Sequence, residues 1–526
     1  MNKHKFIYFF SIAASLAVST TAATLPKAVE IQPRMGLGYN IGNTMEVPGN
    51  PTLWGNPFPT KAYVDSIKAA GFNTIRIPCA WDSHAKNGSI SSWLDSVKTV
   101  VDMVLSTGTY AILNSHWDNG WLEDHVFDGQ GYDKTGLVTS SAKDVAAKQE
   151  SYWKQIANKF KDYNERLIFA CANEPGVNDP WNGGTDNGQW GFDETRMKVL
   201  KTFHEACIKA VRSTGGNNAT RTIVVQMPRT EIDKYQLLAN NYPSDPAGSG
   251  YTMAEAHFYP YQFSLMNEDA DWGKTFWYWE DYTSGDAGRT CNGNCLGSKQ
   301  SIDSQFDKLK NAFVNKGIPV VIGEMGAIKR LQQGGINLSK HLEARAAWYG
   351  YTVKAAKARG IIPVVWDTGY EGNENMTIIR RQVNNYSGKD GSVVDLATLN
   401  SMRKSYGLGD YTNNGITHVN DFITGTNLPE SSSSSQPQES SSSKIESSSS
   451  SSASTALNAM IKTSFNFYHE GNALHSSAQI LLFDMNGNLI RSTSSTNGKT
   501  TMLLQGLSQG TYLAHSNNKT IKIFVK

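Results

Sequence analysis

Eight short apolar runs alternate with longer stretches in which apolar residues recur every three or four positions. Short runs rich in branched residues predict buried strands of a parallel sheet, and the stretches between them predict amphipathic helices. The runs cover residues 37–41, 74–78, 110–115, 167–172, 222–227, 252–257, 319–323 and 362–366, and the clearest helical stretches cover 62–70, 93–105, 152–160, 198–211 and 342–358. Eight strands alternating with helices predict an α/β fold of the (β/α)8 barrel type.

A doubly wound open sheet is the alternative fold for the same alternation of strands and helices. Such a sheet normally carries a glycine-rich phosphate-binding turn between its first strand and first helix. Residues 36–42, Gly-Leu-Gly-Tyr-Asn-Ile-Gly, contain glycines, but they lack the required spacing and the helix that should follow. The barrel is therefore the predicted fold.

A serine-rich segment over residues 427–455 divides the chain into a large and a small domain. Because this segment has almost no apolar side chains to bury, we predict a flexible linker. Residues 1–23 combine two lysines, an apolar run too short for a stable membrane span, and small residues, which is the pattern of a signal peptide. We therefore predict export, with a catalytic domain over 24–426 and a second domain over 456–526.

The small domain alternates polar and apolar residues over 479–483 and 520–525, and residues 484–488 have the composition of a hairpin turn. This pattern predicts a small all-β, sandwich-like module. Its closing residues, 483–487 and 504–512 followed by a basic strand, resemble the C-terminal sorting domains of secreted bacterial proteins. The resemblance implies contact with a secretion machinery and a secreted or cell-surface location. A carbohydrate-binding module stays the alternative, although the domain contains no Trp to stack on a sugar.

The charge of the chain is nearly balanced, with 49 Lys and Arg against 47 Asp and Glu. This balance gives no reason to expect a nucleic acid partner. The 13 Trp and 22 Tyr are more informative, because many of them adjoin Gly, Asn or Asp and so predict surfaces that stack on flat ligands. Each Trp could equally be a packing residue. The candidates for sugar subsites are Trp54, Trp117, Trp121, Trp181 and Trp277.

Five cysteines are too few for a disulfide scaffold in a chain of 526 residues. Cys79, Cys171 and Cys207 lie in apolar surroundings and are predicted to be buried small hydrophobes. Cys291 and Cys295 could form a disulfide that closes a loop tip after export. Residues 128–133 lack the ligand spacing of a calcium loop, so we expect a mobile cleft loop there and no metal.

Two glutamates stand where apolar runs end, Glu174 in Cys-Ala-Asn-Glu-Pro and Glu324 in Val-Val-Ile-Gly-Glu-Met-Gly. The carboxyl ends of barrel strands carry the chemistry of this fold. A single glutamate there commonly forms only a surface salt bridge. Two that meet can supply the acid and the nucleophile for cleavage of a glycosidic bond, so the rest of the chain must decide between these interpretations.

Most of the other predicted strands also end in a polar or aromatic side chain. Because all the carboxyl ends of a barrel meet at one mouth, we predict that these side chains join the two glutamates in a single site. They are Arg76, His116, Trp117, Asn173, His257, Tyr259 and Trp366.

These motifs resemble the glycoside hydrolases of family five, and within them the branch rich in endoglucanases. The matching segments are Arg76-Ile77-Pro78, Asn114-Ser115-His116-Trp117, Asn173-Glu174-Pro175, His257-Phe258-Tyr259, Gly323-Glu324-Met325-Gly326, Trp366-Asp367, residues 38–44 and residues 54–57. The resemblance spans the large domain and implies a retaining hydrolase with carboxyl groups about 5 to 5.5 Å apart.

The resemblance also implies a role for each residue. Glu174 would be the acid and base and should have a raised pKa, while Arg76 and Tyr259 would hold the nucleophile Glu324 charged and aimed. Asn173 would bind the sugar 2-hydroxyl. The remaining residues orient the substrate and the acid or offer a flat face to the sugar, and they are His116, His257 and Trp366. No step calls for a cofactor.

The expected activity is that of a secreted, monomeric endo-β-1,4-glucanase, a cellulase acting on cellulose or a related β-glucan. A β-mannanase, xyloglucanase or licheninase would use the same residues, because loop contacts set specificity on this fold. A non-catalytic carbohydrate-binding surface protein is the alternative from another class. The presence of both glutamates argues against it, since binding alone requires neither an acid nor a nucleophile.

Overall fold

The large domain closes into a barrel of eight parallel strands. A computed structural model of the chain describes residues 24–130, 140–176, 192–381, 390–411, 468–470, 473–476, 479–484, 489–493, 500–505, 507, 510–516 and 519–525. The barrel strands are β1 (Gly38–Asn40), β2 (Thr74–Cys79), β3 (Tyr110–Ser115), β4 (Leu167–Ala170), β5 (Ile223–Gln226), β6 (Thr252–Phe258), β7 (Val320–Met325) and β8 (Ile361–Val365). They pair in the closed order β1-β8-β7-β6-β5-β4-β3-β2, which confirms the predicted barrel.

Helices precede, connect and follow the strands of the barrel. They are α1 (Ala28–Met35), α2 (Lys61–Ala69), α3 (Ser91–Ser106), α4 (Ser140–Lys159), α5 (Glu194–Ser213), α6 (Tyr235–Asn240), α7 (Tyr261–Ser264), α8 (Lys299–Ala312), α9 (Leu338–Ala358) and α10 (Leu396–Tyr406). Short 3-10 helices cover Asp82–His84, Glu123–Gln130, Gly216–Ala219, Pro228–Thr230, Ile232–Lys234, Ala287–Arg289 and Val314–Lys316, and two two-residue strands pair at Tyr278–Trp279 and Thr290–Cys291. None of the described helices is long and apolar enough to cross a membrane.

The amino end of the barrel is closed by α1. Ala28, Ile31 and Met35 are fully buried and form one apolar cluster with inward-facing strand residues such as Ile168 and Val224. This cluster fills the lower interior with close-packed side chains, so the barrel is a solid core and not a pore.

The interior becomes polar toward the carboxyl ends of the strands. Asn40, Arg76, Asn114, Gln226 and Glu255 are each no more than 1% exposed. Buried polar groups require partners, and hydrogen bonds and an ion pair link these side chains to their neighbours. This polar layer lies directly beneath the residues predicted to form the site.

Two disulfides join cysteines of the large domain. One links Cys291 to Cys295, as the sequence allowed. The other links Cys171, just after β4, to Cys207 in α5, so the prediction that these two are unpaired buried hydrophobes is wrong. Their apolar surroundings do reflect burial, but a sequence separation of 36 residues gave no sign that α5 packs its cysteine against the end of β4. Cys79 is free and buried.

The C-terminal region is all-β, as predicted. Its strands are β9 (Tyr468–Glu470), β10 (Ala473–Ser476), β11 (Ile480–Asp484), β12 (Leu489–Thr493), β13 (Thr500–Leu503), β14 (Gly510–Ser516) and β15 (Lys519–Val525). They form two antiparallel sheets, ordered β9-β10-β13 and β12-β11-β14-β15, and buried residues of both sheets share one core. The predicted signal peptide and linker, Trp181 and residues 131–133 lie outside the described residues.

Candidate active site

The predicted site residues lie at or just beyond the carboxyl ends of barrel strands, except for Arg76, which lies inside its strand and reaches the same mouth through its long side chain. Arg76 lies in β2, His257 in β6 and Glu324 in β7. The others follow their strands directly or within four residues, with His116 and Trp117 after β3, Asn173 and Glu174 after β4, Tyr259 after β6 and Trp366 after β8.

Arg76 connects the side chains at the bottom of this mouth. Its guanidinium is fully buried and donates to Glu324 Oε1 at 2.9 Å and to Asn173 Oδ1 at 2.9 Å. It also donates to Asn40 Oδ1 at 3.1 Å, and its Nε lies 3.2 Å from Glu255 Oε1. Because a planar guanidinium fixes all these partners in one geometry, Arg76 positions Glu324 and Asn173 relative to each other.

A β-bulge in β7 turns Glu324 toward the mouth. The pairing with both neighbouring strands skips one residue of β7 after Ile322. As a result Glu324 lies opposite His257 of β6, and Met325 lies opposite Val365 of β8. Regular alternation would place Glu324 on the same outward face as Ile322, which packs in the outer core. Bulges commonly re-aim a side chain next to an active site.

Gly323 is the residue that this bulge requires. A Cβ atom at this position would overlap the carboxylate of Glu255, so no larger residue fits while Glu255 holds its place. Glycine is required at residue 323 because the Glu255 side chain lies directly against the backbone there.

Glu174 and Glu324 meet across His257. His257 Nδ1 lies 2.7 Å from Glu174 Oε1 and 3.7 Å from Glu324 Oε2. One oxygen of each glutamate and a ring nitrogen of His257 lie within 4.8 Å of one another. The Glu174 side chain is 25% exposed and that of Glu324 only 7%, so Glu174 lies nearer to solvent. Within the described chain this is the one trio of metal-capable side chains, and the predicted absence of a metal stays a prediction.

His257 is held as a cation by the carboxylates around it. Burial lowers the pKa of His257, but the charge of Glu324 and hydrogen bonds to Glu174 and Glu255 outweigh burial and raise the pKa to about 9. Burial likewise raises the pKa of Glu255, yet Arg76 and His257 more than offset it, so the net pKa falls below the usual range. Glu255 and His257 therefore form a buried ion pair, with His257 Nε2 3.3 Å from Glu255 Oε1.

The pKa of Glu324 is set by opposing effects. Burial raises the pKa above its usual range and the nearby Glu174 adds to this, whereas His257 and Arg76 lower it. Arg76 and Tyr259 contact the carboxylate as predicted, but burial outweighs them. Burial and the same two glutamates raise the pKa of Tyr259 well above its usual value, so its hydroxyl stays protonated and donates to Glu324 Oε2 at 3.0 Å.

His116 and Trp366 form the opposite wall of the mouth. Their rings stack with centroids 5.7 Å apart and planes 12° apart. Burial, Arg76 and His257 lower the pKa of His116 well below its usual value, so this imidazole is neutral. Gly42 lies against Trp366, because a Cβ at residue 42 would come within 2.7 Å of the indole ring. The half-buried indole is fixed in place with part of its surface open.

The sequence prediction missed several residues that support this site. Gln226 donates to Glu255 Oε2 at 2.6 Å, and Asn40 donates to the carbonyls of Gly323 and Val365. Glu123, 1% exposed, accepts from the backbone of Asn173 at 3.2 Å, and burial raises the pKa of Glu123 to about 8. Asn40, Gln226 and Glu255 could have been found, since each is a polar residue inside an apolar strand.

The tryptophans predicted to line sugar subsites differ in their exposure to solvent. Trp54 and Trp117 are half-buried and keep part of their surface open. Trp121 and Trp277 are only 6% and 8% exposed. Trp121 packs edge-on against Tyr152, and Arg289 stacks over Trp277. The burial of both tryptophans agrees with the packing alternative, and their role as subsites stays a prediction.

Two family models match this chain. Residues 39–372 match cellulase, glycosyl hydrolase family 5, and residues 458–526 match the secretion system C-terminal sorting domain. The first match covers the barrel and every residue of the site. The second indicates that the protein is exported to the cell surface or beyond it.

Characterised relatives share the barrel. The xyloglucan-specific endo-β-1,4-glucanase of Bacteroides ovatus is 33% identical over 65% of this chain and 65% of its own length. Endoglucanase B of Clostridium cellulovorans is 31% identical over 70% of this chain and 78% of its own length. The first two relatives thus extend beyond the region that this chain matches.

Solved structures agree with the sequence comparison. A xyloglucan-specific β-1,4-glucanase from a ruminal metagenomic library superposes with a TM-score of 0.62 at 31% identity, over 75% of this chain and all of that one. A broad-specificity endoglucanase from Clostridium longisporum gives a TM-score of 0.57 at 28% identity, over 73% of this chain and 99% of that one. The chain therefore belongs to glycosyl hydrolase family 5, among its endoglucanases and xyloglucanases.

Proposed function

We propose that this protein is an exported endo-β-1,4-glucanase that cleaves internal bonds of a β-glucan with retention of configuration. The observation that carries the proposal is the approach of Glu174 and Glu324 to within 4.8 Å at the carboxyl end of the barrel. Retaining enzymes place their two carboxyl groups about 5 to 5.5 Å apart, whereas inverting enzymes need about 6.5 to 9.5 Å to admit a water molecule. The short separation therefore supports a retaining mechanism.

The charge balance of the buried cluster supports different roles for the two glutamates. Arg76 and protonated His257 supply two positive charges, and ionised Glu255 supplies one negative charge. The net positive charge of these three side chains favours the ionised form of a carboxylate that contacts them. Glu324 accepts from both Arg76 and Tyr259, so we assign Glu324 as the ionised nucleophile and the more exposed Glu174 as the acid.

The proposed reaction proceeds in two displacements. Glu324 attacks the anomeric carbon while Glu174 gives its proton to the departing glycosidic oxygen, leaving a glycosyl ester on Glu324. Glu174, now a carboxylate, then takes a proton from water, and the water oxygen attacks the anomeric carbon to release Glu324. Two inversions restore the original configuration. Arg76 donates to the carboxamide oxygen of Asn173. The amino group of Asn173 can then bind the sugar 2-hydroxyl.

The proposed substrate class rests on the relatives, which are named as xyloglucan-specific enzymes and as endoglucanases. Two of these names specify β-1,4-glucanases, so we place a β-1,4-glucan backbone in the cleft. A mannan or mixed-linkage glucan chain would use the same catalytic groups and stays a second candidate. A purely binding role would leave unexplained the short carboxyl separation and the buried cations around it.

The polysaccharide panel that tests this proposal uses the purified full-length protein. We expect reducing sugar and a fall in viscosity from carboxymethyl cellulose, lichenan or xyloglucan, with far less from mannan and xylan. Proton NMR at early times should show the β-anomer as the first product, as retention requires. Early formation of the α-anomer would contradict the mechanism, and turnover of mannan alone would contradict the assigned backbone.

The substitution Glu255→Gln tests the buried ion pair beneath the two glutamates. Removing one partner of a buried charge pair costs about 3 to 5 kcal/mol of unfolding free energy. We also expect kcat/KM to fall about 100-fold, because Arg76 and His257 lose the carboxylate that positions them. Chemical denaturation and steady-state kinetics measure the two effects.

The pH dependence separates positioning from a general loss of stability. The pKa of His257 is raised from 6.5 to about 9, so its stabilising contribution is complete below pH 6.5 and disappears as the pH rises through about 9. In Glu255→Gln this loss should begin at lower pH. The control is Glu343→Gln, on the surface of α9, which should change neither the unfolding free energy nor kcat/KM. If the free energy of unfolding of Glu255→Gln depends on pH as it does in the wild-type protein, the positioning role of Glu255 is contradicted.

A further inference from the structure

An exposed pair of aromatic side chains lies outside the residues assigned to the candidate site. Trp272 is 68% exposed, the most of any large apolar side chain in the described part of the chain, and Tyr261 is 49% exposed. Their ring centroids are 5.9 Å apart, with planes inclined by 37°. Large aromatic side chains usually bury most of their surface, and an exposed cluster of them marks a binding surface.

The pair lies on the catalytic face of the barrel. Both residues belong to the loop that follows β6, the strand that carries His257. Tyr261 comes two residues after Tyr259, whose hydroxyl donates to Glu324. Two residues of chain span at most about 7 Å, so the pair begins beside the candidate site.

Hydrogen bonds hold the backbone of the turn that carries Trp272. Ala270 and Gly273 exchange backbone hydrogen bonds of 2.9 and 3.0 Å, which places Trp272 in the two-residue turn between them. Gln262, in the same short helix as Tyr261, donates to the carbonyl of Lys274 at 3.0 Å. A Cβ at Gly273 would lie 2.7 Å from Gln262 Nε2, so glycine permits this close contact.

A salt bridge braces the base of the same turn. Asp269 accepts from both terminal nitrogens of Arg289, one of them at 2.9 Å, and from the backbone and hydroxyl of Thr275 at 3.0 Å. A turn that is already ordered loses little conformational entropy when a ligand binds to it. The turn therefore presents the flat indole of Trp272 to solvent from an ordered backbone.

The chemistry around the pair favours a neutral ligand with flat, partly apolar faces. Acidic residues flank the indole in sequence, at Glu268, Asp269 and Asp271. Single-stranded nucleic acids also stack on aromatic rings, but they need a positively charged groove, and Lys274 is the one cationic residue of the segment 267–275. A β-linked glucan has no charge and presents C–H groups on the faces of its sugar rings.

We propose that Tyr261 and Trp272 form a glucan-binding platform that holds a stretch of substrate extending beyond the cleavage site. This inference rests on the proposed function, because the ligand is taken to be the chain that the catalytic cleft cleaves. The platform gives the enzyme a preference for polymers over short oligosaccharides, since only a long chain occupies the cleft and the platform together.

The test compares polymer and short substrates in Trp272→Ala of the full-length protein. We expect affinity for xyloglucan or carboxymethyl cellulose, measured by affinity electrophoresis in a Glu324→Gln background, to fall about tenfold. In the active enzyme, the ratio of kcat/KM on the polymer to that on an aryl cellobioside should fall by a similar factor. Trp272→Tyr should restore most of both.

Tyr282→Ala is the matched control, because Tyr282 is a 43% exposed aromatic of the same loop that contacts Trp279 on the flank facing α9. It should leave the ratio unchanged. Equal losses on polymer and short substrate, or a changed oligomeric state with unchanged glucan affinity, would overturn the platform. If the wild-type protein cleaves none of the glucans, the proposed function itself has failed, whereas an active enzyme insensitive to Trp272→Ala rejects only the platform.

Discussion

Glu324→Gln should abolish hydrolysis while leaving the fold and glucan binding in place. The amide has the size of the carboxylate, so Arg76 can still donate to its oxygen and the Tyr259 hydroxyl can turn to accept from its nitrogen. An amide is a poor nucleophile, however, and no glycosyl ester can form. We expect kcat to fall by roughly 10⁴ or more, which is about 5 kcal/mol of transition-state stabilisation.

Reducing-sugar release and affinity electrophoresis separate turnover from binding in this variant. Persistent binding without turnover is the result expected of an enzyme, and unchanged sugar release would reject Glu324 as nucleophile. The substitution Glu324→Ala adds a stereochemical test, since azide can enter the space left by the side chain. Azide would then attack the anomeric carbon in a single displacement, so an activated β-glycoside should give the α-glycosyl azide.

The architecture around Glu324 could be predicted because it depends on patterns that are local in sequence. Each strand appears as a short apolar run, and eight such runs determine the closure of the barrel and the face on which the strand ends meet. The residues at those ends, from Arg76 to Trp366, are therefore visible in sequence as polar or aromatic groups that interrupt apolar runs. Their convergence needed no knowledge of any contact.

Contacts between distant segments could not be predicted in the same way. Glu255 is visible in sequence as a polar residue inside an apolar strand, but its importance depends on Arg76, which lies 179 residues earlier in the chain. The bulge at Gly323 changes the direction of Glu324 by a shift in pairing that alternation does not reveal. The disulfide between Cys171 and Cys207 depends on how α5 packs on β4. The pKa of Glu324 depends on the depth of burial, which outweighs its cationic neighbours.

Glu174→Ala should slow the two displacements by different amounts, according to how much each needs a proton. Cleavage of a polysaccharide releases a sugar hydroxyl that must be protonated, so kcat/KM should fall by about 10³ to 10⁴. A dinitrophenyl glycoside releases a stable anion without help, so its first step should lose much less. Its second step still lacks the base that activates water, so the glycosyl ester on Glu324 should accumulate. Formation of this ester should appear as a burst of dinitrophenol that precedes slow turnover.

Azide distinguishes this role from that of Glu324. In Glu174→Ala, azide can replace water in the second displacement. Azide should therefore restore turnover of the dinitrophenyl glycoside and give the β-glycosyl azide. Glu324→Ala should give the opposite anomer, the α-glycosyl azide. Glu174→Ala should also lose the alkaline limb of its pH profile on kcat/KM, because that limb reports the loss of the proton from the acid. Glu343→Gln, an exposed glutamate on α9, is the control and should show neither effect. Formation of the α-azide by Glu174→Ala would exchange the two assignments, because the configuration of the azide product reports which of the two displacements has been lost.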